Sequence, residues 1–93
     1  MEFEWDPRKA GKNLRKHKVA FTEAATVFSN VLSASVPDPD HSEEEDRYII
    51  IGMSNRFRLL IVSFAERGNR ILIISARELT RSERNSYEEE NPR

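Results

Sequence analysis

The chain lacks several features that define large classes of proteins. It has no cysteine among its 93 residues, which excludes disulfides, thiol chemistry and cysteine-ligated metal sites. No apolar run reaches the ~18 residues that a membrane-spanning helix needs. The first residues are acidic and aromatic, unlike the basic and then apolar start of a signal peptide. We therefore expect one small cytoplasmic domain over residues 1–93 without a membrane partner.

The familiar catalytic signatures are also missing. The three glycines do not form a phosphate-binding loop, and no H-E-x-x-H zinc motif or serine nucleophile elbow occurs. His17 and His41 are the only histidines. His41 lies among acids that resemble a loose ligand cluster, but oxygen-rich acidic loops are usually only solvated. The sequence therefore predicts no metal site and no cofactor.

Charge is unevenly distributed although the formal net charge is only −1. Residues 38–46 contain six acids and no lysine or arginine, and Glu88–Glu90 add three more acids. Without those nine acids, the chain has 15 basic and seven acidic residues. A basic body with two acidic segments indicates an anionic partner, unless the acids merely offset the arginines on a solvated surface.

The first third of the chain predicts a strand and two helices. Residues 1–5 alternate between polar and apolar, as in a short strand. Asp6 and Pro7 are typical of a helix start, and this helix runs to about His17. A second helix is predicted over 22–29, with Thr22 as its cap.

The rest of the chain predicts a sheet and a last helix. Strands are expected over 32–36, 47–53, 57–66 and 70–77, with a turn at 54–56, a hairpin at Gly68-Asn69 and a polar loop over 38–46. Thr80 and Glu83 have capping-box spacing, so a helix should begin there and run to about Glu89. The central strands are apolar at consecutive positions, which predicts burial on both faces. The fold class is α+β: a meandering antiparallel sheet with the two N-terminal helices on one face and the C-terminal helix elsewhere.

Arginines on the predicted strands are the main candidates for chemistry. Arginine is costly to bury and binds phosphate through two parallel hydrogen bonds. Arg77 ends an apolar strand, and the length of the 67–69 turn decides which face it shares with Val62 and Phe64; the sequence leaves both registers open. A salt bridge, for example with Glu66, is the simpler interpretation of Arg70. His17 is either a helix-end cation or a proton-transfer group.

Blocks along the chain are similar to the BrnT toxin family. They span about residues 2–88 in the family's order: Phe3-Glu-Trp-Asp-Pro-Arg-Lys, Asn13-Leu-Arg-Lys-His17, Phe21-x-Glu-Ala-Ala, Pro37-Asp-Pro-Asp-His41, Ile51-Gly52, Glu66-Arg-x-x-Arg-Ile and Ile74-Ser-Ala-Arg77. One departure is Lys18, where the family often has a glycine that takes a left-handed helix cap. The resemblance implies a RelE-like fold and a ribonuclease toxin of a type II toxin–antitoxin pair. It also implies a BrnA-like ribbon-helix-helix antitoxin, with contact to DNA only through that partner.

The resemblance also implies metal-independent cleavage of RNA, in which the ribose 2′-hydroxyl attacks the adjacent phosphorus and the 5′-oxygen leaves. This chemistry needs a base, an acid and a cation for the phosphoryl oxygens. In RelE-like toxins this work is commonly done by an arginine late in the sheet and by an aromatic residue or a histidine near the C-terminus, and Arg77 and Tyr87 stand in matching places here. Supporting catalytic candidates are Arg81, Arg58, Glu66 and His17, and the candidates for RNA binding are Lys9, Lys16 and Arg47. The alternative is a non-catalytic protein- or RNA-binding module of the same fold.

Overall fold

The computed structural model describes residues 1–30, 34–38 and 47–90. The order of elements is the predicted one: β1 (Glu2–Glu4), α1 (Pro7–His17), α2 (Phe21–Thr26) with a 3-10 turn (Val27–Ser29), β2 (Ala34–Pro37), β3 (Arg47–Met53), β4 (Leu59–Arg67), β5 (Arg70–Glu78) and α3 (Arg81–Glu90). The acidic loop, with His41, lies outside the described residues except for Asp38, as do positions 32–33 of the predicted strand. None of the helices in the described ranges has the length and apolar character needed to cross a membrane.

The five strands form one sheet in the order β1-β5-β4-β3-β2. Strands β2 to β5 are the predicted antiparallel meander. Strand β1 adds to the outer edge of β5 in parallel, with Glu2 opposite Arg70 and Glu4 opposite Leu72. Because β1 is so short, it leaves the last residues of β5 without a neighbouring strand on that side.

The core lies between one face of the sheet and the two N-terminal helices. Its largest fully buried side chains are Phe21, Leu60, Ile73, Val19, Val27 and Val62. Burial alternates along β4, so only every second residue is enclosed. The prediction that the central strands are buried on both faces, with the C-terminal helix or a partner protein over the second, is met on one face within this chain: the second face, which carries Ile49, Ile51 and Ile61, is half-buried.

Helix α1 begins and ends where its capping residues require. Asp6 accepts a hydrogen bond from the Arg8 N–H at 2.9 Å, and Pro7 occupies the first helical position. Lys18 ends the helix in the left-handed region with φ of 61°, and its N–H donates to the Leu14 oxygen at 3.0 Å. The lysine thus adopts the conformation that a glycine takes more easily.

Helix α2 begins one residue earlier than predicted, and Thr22 does not cap it. Ala20 holds the cap position without a side-chain hydrogen bond, while Phe21 is only 2% exposed. Burial of the Phe21 ring therefore decides the start of this helix, because it outweighs the modest advantage of a threonine cap.

The remaining boundaries follow local chemistry. Gly68 and Asn69 form a two-residue hairpin loop with φ of 62° at Gly68. Thr80 and Glu83 form the predicted capping box: the Glu83 N–H donates to Thr80 Oγ1 at 3.2 Å, and the Thr80 N–H donates to Glu83 Oε1 at 2.9 Å. Strand β4 begins at Leu59, so Phe57 and Arg58 belong to the preceding loop and not to the predicted strand.

Candidate active site

A pocket with a volume of about 190 Å³ lies between α1 and β5. We call it the cationic pocket; it is lined by Lys9, Lys12, Asn13, Lys16, His17, Ile74 and Ser75. The five residues from α1 share one face of the helix because they recur at intervals of three and four. The structure thus brings together three of the predicted residues, Lys9, Lys16 and His17, with Lys12, the third lysine on the same face of the helix.

Asn13 fixes the position of α1 against β5. It is 7% exposed and bonds to both main-chain groups of Ala76: its Nδ2 donates to the oxygen at 2.8 Å, and its Oδ1 accepts from the N–H at 3.1 Å. Its Nδ2 also donates to the Val19 oxygen at 2.9 Å. The Asn13 amide therefore bonds to main-chain groups of β5 that β1 is too short to reach. These bonds fix β5 beside α1, where the two elements line the cationic pocket.

A β-bulge in β5 decides the direction of Arg77. Phe64 lies opposite Ile73 and Ser63 lies opposite Ser75, so Ile74 is an extra residue on β5. Beyond this bulge Arg77 lies opposite Ile61 on the second face of the sheet. Without the bulge, the two-residue hairpin would place Arg77 opposite Leu60 on the core face. The register that the sequence left open is settled by the bulge as much as by the turn.

Arg77 forms a bidentate ion pair with Glu83 of α3. Its Nη1 donates to Oε1 at 2.7 Å and its Nη2 to Oε2 at 3.0 Å, while Nη1 also donates to the Glu78 main-chain oxygen at 3.1 Å. The Arg77 guanidinium, with the Thr80 N–H, lowers the pKa of Glu83 to about 2. Within the described residues, no acceptor bonds the Nε–H or the second Nη2 hydrogen of Arg77. This edge has the geometry that binds phosphate through two hydrogen bonds.

Two further predicted residues lie on α3. Arg81 is exposed in the first turn, and Tyr87 is half-buried two turns later. Arg77, Arg81 and the cationic pocket therefore lie around the last residues of β5, with Arg77 two residues beyond Ser75 on the same strand.

Arg58 lies beside Glu78 at the end of β5, but its guanidinium is bonded to the buried carboxylate of Glu23. It donates through Nε to Glu23 Oε2 at 2.9 Å and through Nη2 to Glu23 Oε1, and Ser54 Oγ donates to the same carboxylate at 2.7 Å. These bonds, first among them those from Arg58, lower the pKa of Glu23 despite its burial. Arg58 also donates to the Lys18 oxygen at 3.0 Å, so it ties α1 and α2 to the start of β4. This geometry favours a structural role for Arg58.

Two predicted residues lie at the other end of the sheet. Glu66 lies opposite Ile71 and Arg47 opposite Ala65, which places both about 14–17 Å along the strands from the level of Arg77. Arg70, beside them, forms ion pairs with Glu2 at 3.5 Å and Glu4 at 3.6 Å on β1, and not with Glu66 as predicted. The structure does not bring Glu66 and Arg47 together with the other candidates.

Sequence reasoning missed Asn13, Glu23 and the link between Arg77 and Glu83. A signal existed for Glu23, because it is a lone acid in the otherwise apolar surroundings of α2. Glu83 was visible only as a capping-box residue, and its second role depends on the bulge, which no residue pattern announces. The described residues contain no group of three or more histidine and carboxylate side chains placed to share a metal ion.

Comparison with known proteins identifies the family. The model of a family described as "Ribonuclease toxin, BrnT, of type II toxin-antitoxin system" matches residues 5–83. The fold is similar to the 1.1 Å crystal structure of the Brucella abortus ribonuclease toxin BrnT, with a TM-score of 0.69 and 25% identity, covering 87% of this chain and 99% of that chain. No curated protein is significantly similar in sequence. The match over most of the chain, on a fold with the same architecture, shows that this protein belongs to the BrnT family of type II ribonuclease toxins.

Proposed function

We propose that this toxin cleaves RNA at Arg77, with the substrate strand bound across the adjacent cationic pocket. The observation that carries the proposal is the bonding of Arg77: Glu83 accepts hydrogen bonds from one edge of the guanidinium, and no acceptor among the described residues bonds the Nε–Nη2 edge, which a phosphate can therefore take. Preorganised donors of this kind stabilise the charge that develops on phosphoryl oxygens, and they need no reorganisation during the reaction.

The chemistry is an attack of the ribose 2′-hydroxyl on the neighbouring phosphorus. A base removes the 2′-hydroxyl proton, the P–O5′ bond breaks, and an acid protonates the leaving 5′-oxygen. His17 lies in the cationic pocket and is the best-placed residue for one of these proton transfers. Tyr87, on the helix that carries Glu83, is the candidate for the other. Lys9, Lys12 and Lys16 hold the flanking phosphates.

A toxin of a type II system has a protein antitoxin as its partner. We propose a BrnA-like ribbon-helix-helix antitoxin that neutralises the toxin in the cytoplasm and supplies the only contact with DNA. Apolar residues on the second face of the sheet, among them the exposed Val36 and the half-buried Ile61, support binding of a protein there. Expression without the antitoxin should arrest growth, and co-expression should restore it.

The catalytic proposal is tested by single-turnover cleavage of a short RNA. Arg77→Ala should lower the rate by roughly 10²–10³, the usual effect of losing one charge-stabilising donor. Arg77→Lys should recover only part of the rate, since lysine keeps the charge but cannot donate two parallel hydrogen bonds to a phosphate. The same RNA with 2′-deoxyribose at the cleaved position should stay intact, and EDTA should leave the rate unchanged.

Arg70→Ala is the matched control, because Arg70 is also an ion-paired arginine on β5 but lies at the opposite end of the strand. It should leave the cleavage rate unchanged. If Arg77→Ala cleaves as fast as the wild type, Arg77 is not the phosphate cation. If the wild type binds RNA but does not cleave it, the protein is the non-catalytic binding module instead.

A further inference from the structure

Phe57 combines high exposure with a backbone conformation that phenylalanine disfavours. Its side chain is 84% exposed, and its φ is 61°. A positive φ is uncommon for any residue with a Cβ atom and is a genuine outlier for a bulky one. Neither burial nor local backbone preference therefore explains a phenylalanine at this position.

The loop around Phe57 is of a type that calls for glycine. Ser54 and Arg58 close it, with the Ser54 N–H donating to the Arg58 oxygen at 2.8 Å, and the Phe57 N–H donates to the Ser54 oxygen at 3.0 Å. Three residues, 55–57, lie between the closing pair, and Phe57 is the last of them. In such hairpins the last loop residue is left-handed and is usually glycine.

The loop is also held firmly against the protein. Ser54 is 4% exposed and its Oγ accepts hydrogen bonds from the N–H groups of Arg56 at 3.2 Å and Arg58 at 3.4 Å. The Asn55 N–H donates to Thr26 Oγ1 at 2.9 Å. The phenyl ring is therefore exposed to solvent on a loop whose backbone is fixed. The preceding residue, Arg56, is also exposed. Strained residues that the surrounding structure holds in place are concentrated at functional sites.

The position of the loop indicates what the ring contacts. Leu60 and Ile61 of β4, a few residues after the loop, lie opposite Glu78 and Arg77. The Arg58 side chain bridges the two strands there, with Nη1 3.4 Å from Glu78 Oε2. Ser75 of β5 lines the cationic pocket, and Arg77 lies two residues further along the strand. The Phe57 loop lies beyond Arg77 in the same direction. An RNA strand that fills the pocket and passes Arg77 reaches Phe57 a few nucleotides later.

We propose that Phe57 is a stacking platform for an unpaired base of the RNA substrate, with Arg56 contacting the neighbouring phosphate. The inference rests on the proposed function for the identity of the ligand. A lone aromatic ring beside arginines suits a base, because every base has a π-face and the arginine neutralises the phosphate. A protein partner would instead need a contiguous apolar patch.

The test measures binding, so that it does not depend on catalysis. The probe is a short single-stranded RNA with a 2′-O-methyl group at the cleaved nucleotide. Phe57→Gly and Phe57→Leu should each raise Kd about 5- to 100-fold, the range typical of losing one stacked base. Phe57→Trp should retain the affinity, and its fluorescence should be quenched by RNA relative to the wild type, whose only tryptophan is Trp5.

Folding is controlled in the same samples. Phe57→Gly should melt at the same temperature as the wild type or higher, because glycine relieves the left-handed strain. Unchanged RNA affinity in both Phe57→Gly and Phe57→Leu overturns the proposal, and a loss of antitoxin binding in those variants would then assign the ring to the protein partner. A wild type that binds RNA without cleaving it refutes the proposed function but leaves this inference standing.

Discussion

At the scale of single residues, the buried amide of Asn13 matters most for the shape of the site. One side chain satisfies three main-chain groups, which belong to Val19 and Ala76. These groups are far apart in the sequence, so the bonds join the end of α1 to the end of β5. His17 is one turn further along the same helix face, and its place beside Ser75 depends on this attachment.

Asn13→Ala should strongly destabilise the fold. The substitution leaves buried main-chain groups without partners, at a cost of about 1–3 kcal/mol each. We expect a loss of at least about 3 kcal/mol in the free energy of unfolding, or a Tm lower by roughly 12 °C or more. Denaturant unfolding of Asn13→Ala, with Lys12→Ala as the exposed control on the same helix, checks this. A change below 1 kcal/mol would show that water replaces the amide.

Residue patterns predicted several residues that line the cationic pocket but not their surroundings. Lys9, Lys16 and His17 were singled out because the basic residues of a helix are visible in the sequence. The orientation of Arg77 was not, because it depends on one extra residue in β5. The strain at Phe57 was hidden for a similar reason: the apolar run that begins at Leu59 made Phe57 look like the start of a strand, and only the closed loop requires a left-handed residue there.

At the scale of elements, α3 differs from the two N-terminal helices, α1 and α2, which each contain buried residues. It has no buried residue. Its first turn is fixed by the capping box and by the Arg77–Glu83 ion pair, so one carboxylate both starts the helix and holds it to the sheet. The position of α3 and the orientation of Arg77 are consequently coupled through Glu83.

The attachment of α3 should be lost in acid. Glu83 has a pKa of about 2 in the folded protein against an ordinary value of 4.5. A lowered pKa stabilises the folded state fully above the ordinary value, and this stabilisation disappears as the pH falls from about 5 towards 2. Amide chemical shifts of α3 should therefore move toward coil values over that range.

Glu83→Gln separates the ion pair from the cap, since glutamine can still complete a capping box. In this variant the α3 shifts at neutral pH should already be displaced, and the change between pH 5 and 2 should be smaller than in the wild type. Identical titrations of the two proteins would mean that the ion pair does not hold α3.

Elements with their own start and stop signals were predicted well. The limits of α1 and β3 agree with prediction, and the capping box of α3 is confirmed, because Asp6, Pro7 and Thr80 act locally. Helix α2 was placed one residue late since its start depends on burial of Phe21 in the tertiary core. The parallel pairing of β1 with β5 joins residues about 70 positions apart, and no local signal encodes it.

At the scale of the whole molecule, a net charge of −1 conceals a separation of charge. Nine acids are concentrated in residues 38–46 and Glu88–Glu90. The lysines of the cationic pocket instead share one helix face beside β5. Local potential, and not net charge, determines where a polyanion binds.

The salt dependence of RNA binding should therefore report the cationic pocket. Each phosphate contact with a single strand contributes about −0.7 to the slope of log K against log salt concentration. The triple variant Lys9→Ala/Lys12→Ala/Lys16→Ala should lose about 2 from the magnitude of that slope, since three contacts disappear. The measurement uses the 2′-O-methyl RNA between about 50 and 200 mM salt. Arg67→Ala/Arg70→Ala removes two charges at the opposite end of β5 and should leave the slope unchanged. A loss in the double variant that is about two thirds of the loss in the triple variant, in proportion to the charges removed, would mean that the RNA responds to total charge and has no fixed path over the pocket.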